Sequence, residues 1–92
     1  MILSWTDRSL RDLERLYDFL FPVNPNAAIR IVRELSSAAD KLLLHPQIGL
    51  TLPQFRPLQV RRLLVGQYEI RYQITAQSIF ILQVWHTRED RT

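Results

Sequence analysis

The apolar residues change their period once along the chain, and that change limits the fold more than any single motif does. Up to residue 45 they recur every three or four positions, and after residue 58 every second position. Spacing near 3.6 buries one stripe of a helix; spacing of two buries one face of a strand. The chain therefore divides into a helical half and a sheet half. Pro46, Gly49, Pro53 and Pro57 are concentrated between them and predict an irregular crossing loop over residues 46–58.

In the first half, residues 1–5 read as a short strand. Thr6 is a suitable N-cap for a helix over residues 7–20, with Asp7 near the positive helix end. Leu10, Leu13, Leu16, Tyr17 and Leu20 give it one apolar face. Phe21-Pro22-Val23 breaks that helix. Asn24 caps a second one, with Pro25 in the first turn, where a missing N–H costs nothing. Ala28, Val32, Leu35, Ala39 and Leu42 form its stripe, and His45-Pro46 ends it. Two helices with facing stripes and a short break predict an antiparallel hairpin.

In the second half, residues 60–65, 68–74 and 78–86 read as strands with a tight turn at Gly66-Gln67. Tyr68, Ile70, Tyr72 and Ile74 face one way, and Glu69, Arg71 and Gln73 the other. The last strand (Ile79, Phe80, Ile81, Leu82, Val84, Trp85) has almost no polar side, so it should be central. Its outer neighbour can only be strand 1–5, and counting reversals through the two helices makes that pairing antiparallel. The expectation is one α+β domain over residues 1–92, β-α-α-β-β-β, with a helical hairpin on one face of a four-stranded antiparallel sheet of order 1-4-3-2.

With 92 residues the core is modest, and a partner that adds stability is plausible. The net charge of +3 sits wholly in the second half. Residues 1–45 carry six basic and six acidic side chains, whereas Arg56, Arg61, Arg62, Arg71, Arg88 and Arg91 face only Glu69, Glu89 and Asp90. Guanidinium groups suit carboxylates and phosphates, so an acidic protein or a nucleic acid would meet this half first. Cysteine is absent, which removes disulfides and thiolate metal sites and suits the cytoplasm. No apolar run reaches membrane-spanning length, and residues 1–5 do not resemble an export signal, so no membrane partner is expected.

The chemistry is mostly one of absences. Gly49 and Gly66 are the only glycines and lie far apart, which excludes a dinucleotide fingerprint or a phosphate-cradling loop. His45 and His86 are the only histidines, and neither has metal-ligand spacing to other donors, so no metal and no cofactor is expected. His45 should satisfy carbonyls at its helix end. His86, leaving a central strand near Arg88 and across from Arg61, Arg62 or Arg71, could act as an acid or base beside phosphate-binding guanidiniums. Arg61 and Arg62 must point to opposite faces, and the outer one is the better partner contact. Trp85 and Tyr72 are expected in the core rather than stacked on bases.

An ordered set of short motifs runs along nearly the whole chain. They are Trp5-Thr6, Leu10-x-x-Leu13, Asn24-Pro25-x-Ala27-Ala28, Leu43-x-His45-Pro46-x-x-Gly49, Arg61-Arg62-Leu63-Leu64-Val65-Gly66-x-Tyr68-Glu69-Ile70-x-Tyr72 and Val84-Trp85-His86-Thr87-Arg88. Taken in order, they resemble the RelE/ParE superfamily of toxins. The resemblance implies the fold just derived and a cognate antitoxin that wraps the toxin. It also implies one of two activities. RelE-like members are ribosome-dependent mRNA endonucleases using lysines, arginines and a tyrosine or histidine-tyrosine pair near the C-terminus; ParE-like members poison DNA gyrase. Here Lys41 is the only lysine, no tyrosine follows Tyr72, and Thr87 stands after His86.

That pattern favours the ParE reading, a non-catalytic gyrase inhibitor with a functional surface at Arg62, Arg71, His86, Arg88 and Arg91. The antitoxin is expected over the helical hairpin, the 46–58 loop or the sheet edge. In the alternative, His86 is the general acid or base and Arg61, Arg62 and Arg88 hold the scissile phosphate of mRNA on the ribosome. A third reading is a folded but inactive toxin kept as an antitoxin-binding module.

Overall fold

Thr6 organises the start of the molecule. In this computed structural model, which describes residues 1–89, Thr6 is extended (φ −70°, ψ 160°) and caps α1, Asp7–Leu20. Its Oγ1 accepts from the Ser9 N–H at 3.1 Å and donates to the Ile81 carbonyl at 2.9 Å. One hydroxyl thus begins the helix and fixes it to the middle of the sheet. Thr6→Ala is expected to cost about 1–2 kcal/mol and Thr6→Ser only a few tenths, as urea melts would read.

Asn24 caps α2, Pro25–Lys41, by accepting from the Ala27 N–H at 3.1 Å. The α2 stripe is as the spacing predicts: Ala28, Leu35, Ala39 and Leu42 are fully buried, and Val32 is partly so. The α1 face is rotated from the expected one, since Leu10 is half exposed and Ser9 takes the buried position. The cap explains the exchange, because the Ser9 hydroxyl is satisfied by the Thr6 carbonyl at 2.8 Å.

The sheet has five strands, not four: β1 Ile2–Trp5, β2 Leu50–Thr51, β3 Gln59–Val65, β4 Tyr68–Ile74 and β5 Ser78–His86, in the order β1-β5-β4-β3-β2. The central last strand and its neighbours fall as expected. The direction of β1 does not: β1 is parallel to β5, with Leu3 beside Ile79 and Trp5 beside Ile81. Both corrections have one cause. The 46–58 segment contains β2, which pairs antiparallel with β3 (Leu50 with Arg62, Thr51 with Arg61), and a short 3₁₀ turn, Pro53–Phe55. That extra strand adds one reversal between α2 and β3 and so inverts the count.

The core lies between the hairpin and one sheet face, with Leu16, Leu35, Ala39 and Leu42 against Ile70, Tyr72, Ile79, Ile81 and Val84. Ile81 and Val84 are three apart yet face the same way, because β5 carries a bulge: Ile81 lies opposite Tyr72 while Gln83 lies opposite Arg71. Alternation puts Phe80 on the other face and the bulge sends Trp85 there too, which is why this strand lacks a polar side in sequence. Part of that far face is covered by Phe55 of the 3₁₀ turn.

Candidate functional site

The sheet separates the sequence-predicted site residues into three places. Arg61 points to the helix side and is committed to structure: its Nη1 donates to the Gly49 carbonyl at 2.8 Å and to that of Gln47 at 3.3 Å. Tyr72, fully buried, completes the same anchor by donating to the Pro46 carbonyl at 2.7 Å and accepting from the Gly49 N–H at 2.9 Å. Burial pushes the Tyr72 phenol up from its ordinary value, and the Gly49 N–H and Arg61 oppose this in part. The His45-Pro46-x-x-Gly49 motif is therefore a docking loop for the sheet. His45 itself is exposed, and only its backbone N–H serves the helix end, bonding the Lys41 carbonyl.

Arg62 and Arg71 occupy the far face, directly opposite each other on β3 and β4. Like charges so placed repel, and each has found a different partner. Arg62 lies 3.7 Å from Glu69 with its side chain 39% exposed. The Arg71 guanidinium sits between two aromatic rings, 5.1 Å from the Phe55 centroid and 5.0 Å from that of Trp85. Trp85 is buried, as expected, but in this sandwich rather than under the helices.

His86 and Arg88 form the third place, at the end of β5 on the helix side. Tyr68 is the register partner of His86, and their rings meet edge to face at 5.1 Å. His86 Nδ1 accepts from the Arg88 N–H at 3.0 Å, so its proton belongs on Nε2, which faces Gln67 Oε1 at 3.2 Å. Beside them opens a groove of about 590 Å³ lined by Leu16, Phe19, Leu20, Tyr68, His86 and Arg88, with Arg15 and Glu89 at its rim. Phe19 is 79% exposed there. Burial and the nearby Glu89 charge raise the Tyr68 phenol.

Thus His86 and Arg88 are neighbours, whereas Arg62 and Arg71 lie on the opposite face and Arg61 points toward the docking loop. Arg91 lies outside the described residues. Tyr68, Asp12, Arg15 and Glu89 were not predicted as site residues. The facing of Tyr68 to His86 could not be counted from the strands, because without the bulge Tyr68 would meet Trp85. Among the described residues no group of three His, Cys, Asp or Glu could hold a metal ion, and no helix is long and apolar enough to cross a membrane.

A helical hairpin on a mixed five-stranded sheet, with a basic strand end beside an apolar groove, is the architecture of a small toxin of the RelE/ParE superfamily. Residues 3–91 match the family described as ParE toxin of type II toxin-antitoxin system, parDE, and the chain belongs to that family. It is 35% identical over 83 residues to Toxin RelE2 of Caulobacter vibrioides, covering 89% of this chain and 90% of the relative. It is 33% identical over 87 residues to Toxin RelE1 of the same organism, covering 91% and 90%. A solved structure of the chromosomal ParDE TA system from P. aeruginosa shares the fold, with a TM-score of 0.78 at 24% identity over 94% of this chain and 95% of that one. The protein is a toxin of a type II toxin-antitoxin system.

Proposed function

We propose that this chain is a single-domain ParE-like toxin that inhibits DNA gyrase without catalysing a reaction, and that a cognate antitoxin neutralises it. The supporting observation is the dispersal of the groups a nuclease would need. His86 and Arg88 sit on one face, Arg62 lies on the other, and both Arg61 contacts are loop carbonyls. No scissile phosphate could touch all four. His86 also spends Nδ1 on the Arg88 N–H, which disfavours a proton cycle through that atom.

The target-contact surface in this reading is Arg88 with His86, and on the far face Arg62 with Arg71; Arg91, expected to join it from the sequence, lies outside the described residues. The groove beside His86 is the antitoxin's seat. Its floor of Leu16, Phe19, Leu20 and Tyr68 takes apolar side chains, and Arg15 and Arg88 at its margin take acidic ones. An antitoxin seated there covers Arg88 and His86, and neutralisation follows from that overlap.

One observation favours the endonuclease reading instead: Tyr68 beside His86 restores a histidine-tyrosine neighbourhood that is broken in sequence. His86→Gln separates the two, since glutamine keeps hydrogen-bonding capacity and cannot cycle a proton. A contact surface should keep growth inhibition within about threefold, read by titrated expression with the melting temperature unchanged. Loss of roughly a hundredfold or more with the fold intact would transfer the assignment to the enzyme.

A further inference from the structure

β1 covers the outer edge of β5 only as far as Ile81, and β5 continues to His86 with no strand on that edge among the described residues. Backbone groups on such an edge invite pairing with other chains. Here the Val84 and His86 N–H groups are taken by side chains, and the His86 carbonyl by the Glu89 N–H at 2.9 Å. Asp12 Oδ2 accepts from the Val84 N–H at 2.9 Å, and Arg15 Nη2 reaches the Val84 carbonyl at 3.5 Å. Glu89 Oε1 accepts from the His86 N–H at 3.0 Å, and its Oε2 meets Arg15 Nη1 at 2.8 Å. Arg15 in turn lies 3.6 Å from Asp12. Acid, base and acid thus alternate along the edge in place of a strand.

We infer that Asp12, Arg15 and Glu89 are positioning residues that hold the turn bearing His86 and Arg88 in its target-binding geometry. The inference rests on the proposal that those two residues contact the target. The arrangement has a second consequence for charge. Glu89, the acidic residue next to Arg88 in sequence, is engaged by Arg15 of α1 and by the strand edge. Arg88 has no ion pair among the described residues, and its guanidinium is available to an acidic surface.

The test uses the purified full chain in two measurements, amide hydrogen exchange and inhibition of gyrase supercoiling. Asp12→Ala should speed exchange at Val84, and Glu89→Ala should speed it at His86, with the core amides unchanged. Glu89→Ala and Arg15→Ala should each raise the half-inhibitory concentration roughly tenfold, and Arg15→Lys should recover most of that loss. Arg88→Ala is the control for the surface itself. If Arg88→Ala weakens inhibition but Glu89→Ala inhibits like the parent despite a fast His86 amide, positioning is overturned and the surface stands. If Arg88→Ala inhibits like the parent, the surface assignment fails and the inference with it. Unchanged exchange at Val84 and His86 in the variants would show that the side chains do not hold the edge.

Discussion

Replacing Gly49 by alanine is expected to lower the melting temperature by roughly 15–20 °C, a loss of about 3 kcal/mol for a domain of this size. The space a methyl group needs is already filled. A Cβ there would stand 2.6 Å from the Arg62 carbonyl oxygen, 2.7 Å from the Tyr72 hydroxyl and 2.9 Å from Tyr72 Cε1. The first neighbour is strand backbone, and the others belong to a fully buried ring with two hydrogen bonds. None can yield without undocking the loop. Total stabilities of small domains are only about 5–15 kcal/mol, so the variant should also accumulate poorly in cells. A thermal melt within 3 °C of the parent would mean that the loop does not dock as described.

Tyr72→Phe should cost about 2–3 kcal/mol while leaving the ring packing intact, because the Pro46 carbonyl and the Gly49 N–H lose their shared partner. A pH signature accompanies it. The Tyr72 phenol is raised above its ordinary value near 10.0, so the folded state holds this proton more tightly than the unfolded chain does. Its contribution is fully present below the unfolded value and is lost as pH rises through the folded one. Stability of the parent should therefore fall on the alkaline side, and Tyr72→Phe should flatten that limb. Denaturant melts between about pH 8 and 11 would show it. Parallel curves for parent and variant would assign the alkaline loss elsewhere, first to Tyr68, which is also raised.

These two residues show what could be read in the chain before its fold was known. The sequence places Tyr72 in the core and Gly49 in the crossing loop. Their contact crosses from the docking loop to a central strand, and no local pattern encodes it. The caps at Thr6 and Asn24 were legible because capping depends on residues within one turn. The direction of β1 was not, since it depends on whether two residues, Leu50 and Thr51, add a reversal. The division of Arg61 from Arg62 followed from the period of two. The seating of the Arg71 guanidinium against Phe55 and Trp85 did not, because Phe55 comes from the 3₁₀ turn inside a segment read as irregular. The site's organisation at His86 was hidden by the β5 bulge, which shifts Tyr68 to face it.

The overlap proposed between antitoxin seat and target surface has a simple physical form. Phe19, Leu20 and Tyr68 offer apolar area, while Arg15, Arg88 and His86 supply the charge and hydrogen bonds that set orientation. In the proposed complex the apolar lining would give an antitoxin segment its affinity, and the cationic margin is what that segment would withhold from the target.

The most direct test of the proposal is a supercoiling assay with relaxed plasmid, ATP, purified gyrase and a titration of this protein, with the cognate antitoxin added last. The expected result is loss of supercoiling or accumulation of cleaved DNA that rises with toxin and is reversed by antitoxin. Normal supercoiling in the presence of a folded protein that still arrests growth would contradict it, and the target would then be sought on the ribosome.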